Sequence, residues 1–523
     1  MMNTSRDLPI GIQDFEDLRT GGYVYVDKTK YIYQLATTGK PYFLGRPRRF
    51  GKSLLLSTLK AYFLGKKELF NGLAIAELEK NWIEYPVFHI DFNVESYVDL
   101  DSFYSALDAN LRSLEAKWGK DPAEKTPSIR FRGLIERAYK QTNKKVVVLI
   151  DEYDKPLLST MDDLTLNKEI RKVLKGFYGV LKSCDAYLRF VFLTGVTKFS
   201  KVSVFSDLNH LRDMSMREQF AGICGISESE LIRDFEPELQ ALAEHKGITR
   251  DEAFAEMKKR YDGYHFAKKS EDIYNPFSVL NTFDANDFDY YWFQTGTPTF
   301  LVNMLKKGQI DIRTIDGDIS MPAKNITDYN PDNNDPIPLL YQSGYLTVKS
   351  YDAMFNSYVL GYPNEEVRYG FLHELLPAYL PVDRYSLNNF FAGDFVKKLM
   401  NGDTEGFMTA MQSFFASIPY DLTDKTEKYY QLVFYLLYTL MGQFVQTEVK
   451  SANGRADAVV YTANAIYVFE FKMDKRATAE QAIQQIDDKG YLIPYIADGR
   501  KLVKIGAEFS FKKRELKRWV VKS

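Results

Sequence analysis

Two short motifs, about a hundred residues apart, constrain the fold of this chain more than any other feature. The first, GRPRRFGKS, spans Gly45–Ser53, and the second, KKVVVLIDEYD, spans Lys144–Asp154. The first follows a short apolar segment, Tyr42–Leu44, and precedes a helical pattern that begins near Lys52. A glycine-rich turn between a strand and a helix N-terminus holds phosphates with backbone N–H groups and the positive helix end. The two motifs together therefore predict a nucleotide triphosphate site.

The first motif supplies the groups that a phosphate-binding loop needs. Lys52 fits the lysine that reaches the terminal phosphates, and Ser53 fits the hydroxyl that holds Mg²⁺. The loop is one residue longer than the usual G-x-x-x-x-G-K-[ST], since five residues separate Gly45 from Gly51, and Arg46 stands at the position of the first glycine. We predict that ATP is bound by seven residues of this motif: Gly45, Arg46, Arg48, Arg49, Gly51, Lys52 and Ser53.

The second motif places acids at the end of a buried strand. Val146–Ile150 is a continuous apolar run, which is typical of a parallel strand buried on both faces. Asp151 and Glu152 follow it, at the carboxyl edge where open α/β sheets bind ligands. An aspartate there holds Mg²⁺ through water, and the adjacent glutamate polarises the attacking water. A buried strand capped by solvated acids is the alternative, but both motifs in the right order favour nucleotide binding and hydrolysis.

Strands and helices alternate through the first part of the chain, which is typical of a parallel sheet with helices on both faces. Thr194 ends the last of these strands at the same edge as Asp151. We therefore interpret Thr194 as a sensor of the terminal phosphate, with a strand cap as the alternative. The predicted strands are Tyr42–Gly45, Val87–Phe92, Val146–Asp151 and Leu188–Thr194, and the predicted helices are Lys52–Leu64, Leu100–Lys117, Ile129–Gln141 and Leu166–Ser183.

Three arginines crowd the phosphate loop. Arg46, Arg48 and Arg49 would clamp phosphates, or would act as a finger on the nucleotide of a neighbouring subunit in a homo-oligomer. Arg189 and Arg212 also qualify as finger residues, and the sequence does not choose between them. Solvated loop charge is the simpler alternative.

Length and composition bound the remaining possibilities. At 523 residues the chain is too long for one core, so we expect two or three domains. The net charge of −2 leaves any nucleic-acid surface to a local patch. Two cysteines, Cys184 and Cys224, provide no disulfide framework, and five scattered histidines argue against a zinc site. The first residues lack the apolar stretch of a signal peptide, and no segment is long and apolar enough for a membrane span. We expect a cytoplasmic protein without a membrane partner.

The pattern changes after the alternating part. From about Ser227 it is helical, with Glu228–Glu244 and Arg250–Tyr261 prominent, and it then becomes irregular and aromatic. We predict an α/β multidomain protein in three parts. They are an NTPase domain at 1–225, a mostly helical middle region at 226–400 that packs against it as a lid, and a C-terminal α/β domain at 401–523.

The C-terminal part carries a third pattern, which brings charged residues together. If the turn of its hairpin centres on Ala463-Asn464, paired positions sum to 927 and Asp457 lies opposite Glu470. Directly opposed residues have Cβ atoms about 5 Å apart on one face, and Lys472 shares that face because side chains alternate along a strand. The predicted elements are a helix, a strand and the hairpin: Glu427–Met441, Phe444–Val449, and Asp457–Tyr461 with Ile466–Lys472.

Two opposed carboxylates are destabilising in a sheet unless something compensates for their charge. A divalent cation does so, and Mg²⁺ prefers carboxylate oxygens together with retained waters. Asp457 and Glu470 are therefore candidate ligands of Mg²⁺ or Mn²⁺. Lys472 would orient or activate a water and offset charge on a phosphate. A cluster of surface ion pairs is the alternative.

The Asp…Glu-x-Lys arrangement resembles the motif of the PD-(D/E)xK nuclease superfamily, although Asp457 follows Arg455-Ala456 instead of a proline. The resemblance implies a phosphodiesterase with nucleic acid, most simply DNA, as its partner. It makes Asp457, Glu470 and Lys472 catalytic residues of a PD-(D/E)xK nuclease-like domain.

The same resemblance implies further residues of the site. In that fold a glutamate of the preceding helix often adds to the metal shell, which corresponds to Glu427, with Glu448 as a second candidate. RecB-like members carry a glutamine and a tyrosine on a later helix, and these correspond to Gln485 and Tyr491.

The whole chain resembles a family of bacterial proteins, typical of Bacteroidetes and Clostridia, that join an AAA-ATPase-like domain to a PD-(D/E)xK nuclease domain. Members share a phosphate loop with arginine at the position of Arg46. The resemblance implies ATP and Mg²⁺ as cofactors. The segments that carry it are YVDKTKYI (25–32), RPRRFGKSLL (46–55), LIDEYDKPL (149–157), TGVTKFSKVSVFSDLNHLRD (194–213), YNPFSVLN (274–281), GRADAVV (454–460) and EFK (470–472).

The chain ends in a basic tail. Beside a nuclease site such a run would track a phosphate backbone, although a charge run is most often a solvated face. From Lys501 onward it carries, among others, Lys504, Lys512, Lys513, Arg514, Lys517 and Arg518.

These observations predict an Mg²⁺-dependent ATPase that gates or drives a metal-dependent nuclease, with a role in defence against foreign DNA. Two alternatives remain open. One is an NTP-driven switch whose C-terminal domain binds nucleic acid without cleaving it. The other is a regulatory or scaffold protein with a degenerate NTPase site, against which the presence of Lys52, Ser53, Asp151 and Glu152 argues.

Overall fold

The computed structural model describes residues 7–93, 96–199, 211–293, 304–305, 315, 319–330, 335–379, 392–416, 427–442, 446–449, 456–473, 477–510 and 515–523. Side chains are described for all of these except residues 376–379, 392, 427–432 and 446–449. The chain divides into two compact units. The first comprises Met1–Gln309 with Asp316–Val367, and the second comprises Ile310–Ile315 with Arg368–Ser523.

A five-stranded parallel sheet forms the centre of the first unit, in the order β2-β3-β4-β1-β5. β3 is buried along its whole length and is apolar up to its last residue, Asp151, because helices cover both faces of a parallel sheet. β4 lies between β1 and β3, so the ends of these three strands meet at one edge. The strands are β1 Pro41–Gly45, β2 Val87–Asp91, β3 Val146–Asp151, β4 Leu188–Gly195 and β5 Arg212–Asp213.

Four of the eight helices described in this sheet domain begin at a side-chain cap. The Asp99 carboxylate accepts from the Ser102 amide in a capping box, and the Thr126 hydroxyl accepts from the Ile129 amide just before a proline at the first helical position. The helices are α1 Phe15–Thr20, α2 Thr29–Thr38, α3 Lys52–Phe63, α4 Ala74–Leu78, α5 Leu100–Trp118, α6 Pro127–Thr142, α7 Lys155–Ser159 and α8 Leu164–Ser183.

The middle region belongs to the same compact unit and combines helices with short strands. Its helices bury a core of their own around Phe235, Leu239 and Tyr261. Three strands form an antiparallel sheet in the order β8-β10-β9, an addition to the helical pattern predicted from sequence. The elements are β6 Ile226–Ser227, α9 Glu228–Lys246, α10 Arg250–Tyr261, β7 Ile273–Tyr274, α11 Pro276–Ala285, β8 Ile319–Pro322, α12 Ala323–Ile326, α13 Ile337–Ser343, β9 Thr347–Asp352, β10 Ser357–Gly361 and α14 Glu365–Tyr379, which extends past the boundary of the unit.

The second unit is built on a five-stranded mixed sheet in the order β11-β12-β13-β14-β15. Only β13 and β14 pair in parallel, and a helix, α18, crosses over between them. Phe434 and Tyr438 of α17 pack on Phe471 and Phe469 of β13. The elements are α15 Ala392–Met400, α16 Thr404–Ala416, α17 Glu427–Met441, β11 Gln446–Val449, β12 Ala458–Tyr461, β13 Ala465–Met473, α18 Ala479–Asp488, β14 Lys501–Ser510 and β15 Glu515–Lys522.

The predicted fold class is confirmed in both units: a parallel sheet flanked by helices and a C-terminal α/β domain. β3 and α17 begin and end at the predicted residues, and most other boundaries differ by one or two. The predicted strand Phe444–Val449 is described from Gln446 onward, and its first two residues lie outside the described part. The division at residues 225 and 400 stays a prediction. No helix among the described residues is long and apolar enough to cross a membrane.

Candidate nucleotide site and candidate nuclease centre

The phosphate loop, residues 46–51, begins immediately after β1 and ends at the N-terminus of α3. Gly51 caps α3 in the left-handed region, with φ 86°, where glycine is favoured. The Lys52 ammonium is 5% exposed and donates to the carbonyls of Arg46 and Pro47, at 3.1 and 2.9 Å. The loop is thereby folded around the ammonium of the first residue of α3, where the helix N-terminus also favours phosphate.

Asp151 and Thr194 meet across two neighbouring strands. The Thr194 hydroxyl donates to Asp151 Oδ1 at 2.5 Å, and the Glu152 amide donates to the same oxygen at 3.0 Å. Thr194 pairs with Leu44 of the phosphate-loop strand on its other side. Thr194 therefore lies between Asp151 and the strand that leads into the phosphate loop. A residue that senses the terminal phosphate would need this position.

Glu152 has an unusual backbone. Its φ is 47°, in the left-handed region that a non-glycine residue occupies only at a cost of about 1 kcal/mol or more. The conformation turns the chain sharply after β3, and Glu152 is half-buried. Strain of this kind concentrates at functional sites, which agrees with a role for Glu152 in orienting water.

Arg46 is buried and bonds to a segment that is distant in sequence. Its side chain is 1% exposed, its guanidinium donates to the carbonyls of Ser215 at 2.8 Å and Phe220 at 3.0 Å, and it stacks on the Phe266 ring at 4.1 Å. Burial lowers the pKa of Arg46. These contacts anchor the loop to the segment 215–221 and give no support to a phosphate clamp, so that role of Arg46 stays a prediction.

The other arginines divide into two groups. Arg48 and Arg49 are exposed on the phosphate loop, and the Arg49 guanidinium lies 3.9 Å from the Phe277 ring. Both remain candidate phosphate ligands. Arg189 and Arg212 lie at the amino ends of β4 and β5 and donate to carbonyls of α2. They are at the edge opposite the phosphate loop, so neither reaches a nucleotide bound by its own chain.

Asp154, which the sequence interpretation did not single out, connects the acid motif to the segment after β4. It is 1% exposed, and one of its oxygens accepts from the amides of Val196 at 3.0 Å and Thr197 at 2.6 Å. A Cβ on Gly195 would lie 2.5 Å from the other oxygen, so the absence of a side chain there permits this approach. Burial is the main reason that the pKa of Asp154 is raised to about 7, with Lys52 opposing and Glu152 adding to the rise.

This raised pKa predicts a pH-dependent stability. Asp154 has a pKa of about 7 in the folded protein against roughly 3.9 for an unperturbed aspartate, so the folded state binds the proton more tightly. The free energy of unfolding contributed by Asp154 is therefore greatest below about pH 4 and falls as the pH rises through about 7. Relative to the Asp154→Asn variant, the wild type should lose on the order of 3 kcal/mol between about pH 5 and pH 8.

Thermal unfolding of both proteins across this pH range measures the effect. Asp162→Asn, at an exposed acid just before α8, is the matched control and should show no such pH-dependent difference. A gap between wild type and Asp154→Asn that does not change with pH would contradict the assignment.

The hairpin in the second unit has the predicted register. Ala458 pairs with Phe469 and Tyr461 pairs with Ile466, so paired positions sum to 927. Asp457 comes just before β12, and its carboxylate accepts from the Phe471 amide at 2.8 Å. This contact brings Asp457 to the Glu470 end of β13, as the register argument predicts.

Glu470 lies at the centre of a hydrogen-bonded cluster. Its Oε1 accepts from the Lys472 ammonium at 2.8 Å and from the Gln485 amide group at 2.5 Å. Gln485 also accepts from Lys472, at 2.6 Å, and donates to the Tyr491 hydroxyl at 3.2 Å. Burial and the nearby Asp457 raise the pKa of Glu470 to about 7, with the Lys472 hydrogen bond opposing. The structure thus brings together all five of these residues.

Two features of the sequence bring this cluster together: side chains alternate between the two faces of β13, and α18 packs closely on β14. Glu470 and Lys472 face α18, while Phe469 and Phe471 face α17. Gly506 of β14 pairs with Glu470, and a Cβ on it would lie 2.4 Å from the Ala479 carbonyl of α18. Because Gly506 has no side chain, α18 approaches closely enough for Gln485 to reach the cluster.

Comparison with known proteins agrees with this geometry. Residues 9–205 match a family model described as predicted AAA-ATPase, and residues 425–519 match the PD-(D/E)XK nuclease superfamily. A protein of Azotobacter chroococcum mcd 1, described as "Uncharacterized protein in vnfD 5'region", is 37% identical over 530 residues, which cover 99% of each chain. The chain belongs to the family that joins these two domains.

The acids of the nuclease-superfamily domain fit a divalent metal ion. Glu470 Oε2 is buried and has no hydrogen-bond partner among the described residues, which is costly for a carboxylate oxygen unless a cation or water occupies its free side. Asp457 and Glu470 offer the oxygen ligands that Mg²⁺ prefers, with waters completing the shell. In the described part of the chain no group of three or more His, Cys, Asp or Glu side chains gathers as a metal site.

Two further predicted ligands stay predictions. Glu427 begins α17, which runs antiparallel to β13, so its first turn lies toward the Lys472 end of that strand. The side chains of Glu427 and of Glu448 on β11 lie outside the described residues.

The basic tail is partly neutralised. Lys504 pairs with Asp487, Lys517 with Glu508 at 2.5 Å, and Arg518 with Glu480. Lys512, Lys513 and Arg514 lie outside the described residues. Lys504, Lys517 and Arg518 therefore have acidic partners, which weakens the case for this tail as a phosphate track.

Proposed function

We propose that this protein is an Mg²⁺-dependent ATPase that controls a metal-dependent nuclease acting on DNA, with a role in defence against foreign DNA. The observation that carries the proposal is the cluster of Asp457, Glu470, Lys472 and Gln485. It contains the carboxylates of Asp457 and Glu470, and Glu470 Oε2 is buried without a hydrogen-bond partner among the described residues. It also contains the Lys472 ammonium, which bonds to the neutral Gln485 side chain. Such a set has no evident use in packing and a direct use in phosphodiester chemistry.

Each residue of the cluster has a distinct task under this proposal. Asp457 and Glu470 would hold a metal ion, whose chemistry when bound would be to polarise the phosphate and lower the pKa of a bound water. Lys472 stabilises the negative charge that develops on the phosphate. Gln485 bonds to both Glu470 and Lys472 and so fixes the distance between the metal ligand and the cation.

The nucleotide site has a corresponding division of tasks. Lys52 and the amides of the α3 N-terminus would hold the terminal phosphates, and Ser53 with Asp151 would hold Mg²⁺. Glu152 orients the attacking water. Thr194, which donates to Asp151, responds to the terminal phosphate through that hydrogen bond.

Incubation of the purified full-length protein with plasmid, linear duplex and single-stranded DNA tests the proposal. We expect cleavage in Mg²⁺ or Mn²⁺, abolished by EDTA and restored by added metal. ATP hydrolysis is measured in the same samples. DNA binding without cleavage under every metal condition would favour the switch that only binds nucleic acid.

A further inference from the structure

Segments that follow residue 215, most of them in the middle region, contact the phosphate loop. Every residue from Arg46 to Phe50 contacts a segment that lies beyond residue 215 in the sequence, and all of these segments belong to the first compact unit. The partners are Phe220 and Phe266 for Arg46, Gly344 for Pro47, Trp292 for Arg48, Phe277 for Arg49, and Tyr264 and Gly225 for Phe50.

Two of these contacts hold the neighbouring residues Arg48 and Arg49. The Trp292 indole N–H donates to the Arg48 carbonyl at 3.3 Å. The Arg49 guanidinium lies 3.9 Å from the Phe277 ring, a distance at which a cation and an aromatic face attract. Arg49 has a φ of 66°, and a non-glycine residue keeps such a conformation only when its surroundings hold it there.

One buried carboxylate joins the two contacts. Glu366, on the first turn of α14, is 0% exposed. It accepts from the Trp292 amide at 2.8 Å and from the Ser278 hydroxyl at 2.7 Å. Ser278 follows Phe277 on α11. Glu366 therefore bonds to Trp292, which holds Arg48, and to Ser278, whose neighbour Phe277 holds Arg49.

Glu366 has no described cation within bonding distance, so its ionised form is costly to bury. Burial raises the pKa of Glu366 to about 8, opposed by its two hydrogen bonds. A glutamine of the same shape, or an apolar side chain, would be less costly at this position if packing were the only requirement. Packing alone therefore does not account for Glu366, whereas its two hydrogen bonds to Trp292 and Ser278 do.

We propose that Glu366 is a positioning residue for the nucleotide site, acting through Trp292 and Ser278 to hold Arg48 and Arg49 in the conformation that receives phosphate. The inference rests on the proposed nucleotide binding at this loop. Glu366 touches no phosphate itself. Loss of its hydrogen bonds relaxes the strained Arg49 backbone and scatters the two arginines, which weakens ATP binding and leaves Glu152 and the chemical step in place.

Steady-state ATP hydrolysis by four variants of the full-length protein tests this inference. Trp292→Phe keeps the ring and removes the indole N–H, and Glu366→Ala removes the acceptor. Glu366→Gln keeps an acceptor oxygen and is the conservative rescue. Trp118→Phe is the matched control, because Trp118 is also 7% exposed and its indole nitrogen has no partner among the described residues.

The loss of one such hydrogen bond corresponds to about a fivefold effect. We expect Trp292→Phe to raise the KM for ATP about fivefold and Glu366→Ala to raise it about tenfold or more, each with kcat changed less than twofold. Glu366→Gln should recover most of the loss. An unchanged KM in both Trp292→Phe and Glu366→Ala, or an equal rise in Trp118→Phe, would overturn the proposal.

Hydrogen exchange of the amides of residues 48–51 in the nucleotide-free proteins provides a second readout that needs no activity. Glu366→Ala should exchange at least several-fold faster there than wild type, and Glu366→Gln should not. If the wild type does not hydrolyse ATP, the proposed function fails. In that case the exchange rates still decide the positioning claim, because equal rates in Glu366→Ala and wild type would overturn it.

Discussion

Asp457→Asn and Glu470→Gln should each reduce DNA cleavage by more than about a hundredfold while ATP hydrolysis persists. Mutating a residue that merely orients a metal ligand costs about 10–100-fold, and these two changes remove the ligands themselves. ATP hydrolysis should be unaffected because Lys52, Asp151 and Glu152 belong to a different compact unit. The measurement is the cleavage rate in Mg²⁺ beside the rate of phosphate release from ATP.

Asp498→Asn provides the matched control, since Asp498 is a surface acid of the same unit that pairs with Arg500 at 2.5 Å. It should cleave at the wild-type rate. Lys472→Ala should also lose cleavage but keep much of the metal affinity, because an ammonium is not a metal ligand. Wild-type cleavage by Asp457→Asn or Glu470→Gln would show that the cluster is not the nuclease centre.

Lys52→Ala should abolish ATP hydrolysis and strongly weaken ATP binding. The loop would lose both its phosphate-contacting cation and the two hydrogen bonds that fold it around the ammonium. Glu152→Gln should bind ATP normally and hydrolyse it about 10²–10⁴-fold more slowly, because only the group that orients water is changed. Equilibrium binding of a fluorescent ATP analogue and phosphate release separate the two effects.

Lys67→Ala is the control for this pair, since Lys67 is an exposed lysine of the same domain. Its binding and hydrolysis should match wild type. Hydrolysis at the wild-type rate by Glu152→Gln would remove the catalytic assignment, and normal binding by Lys52→Ala would remove the phosphate-loop assignment.

Local patterns predicted most of the fold. The apolar run of β3 and the helical spacing of α17 could be recognised from their own residues alone. The hairpin register followed from the position of a four-residue turn. The same register brought Asp457 and Glu470 to one end of the hairpin, because alternation along a strand has a fixed period. Residue patterns that repeat every two or four residues can be recognised from the sequence alone.

The parts that sequence reasoning missed depend on contacts between distant segments. Nothing near Arg46 indicates that its guanidinium is buried against carbonyls of residues 215 and 220, so its charge suggested a phosphate clamp. Glu366 stands at the start of a helix, where an acid is ordinary, and its burial depends on Trp292 and Ser278. The acid following Tyr153 in DEYD was the one available signal for Asp154.

The central claim is that nucleotide state at one site controls cleavage at the other. Measuring the DNA-cleavage rate in Mg²⁺ over a range of ATP concentrations, for wild type and Lys52→Ala, tests it most directly. The claim predicts that ATP changes the wild-type rate, that Lys52→Ala does not respond to ATP, and that the two proteins differ at saturating ATP. Equal cleavage by both proteins at every ATP concentration would contradict it and would leave two independent activities on one chain.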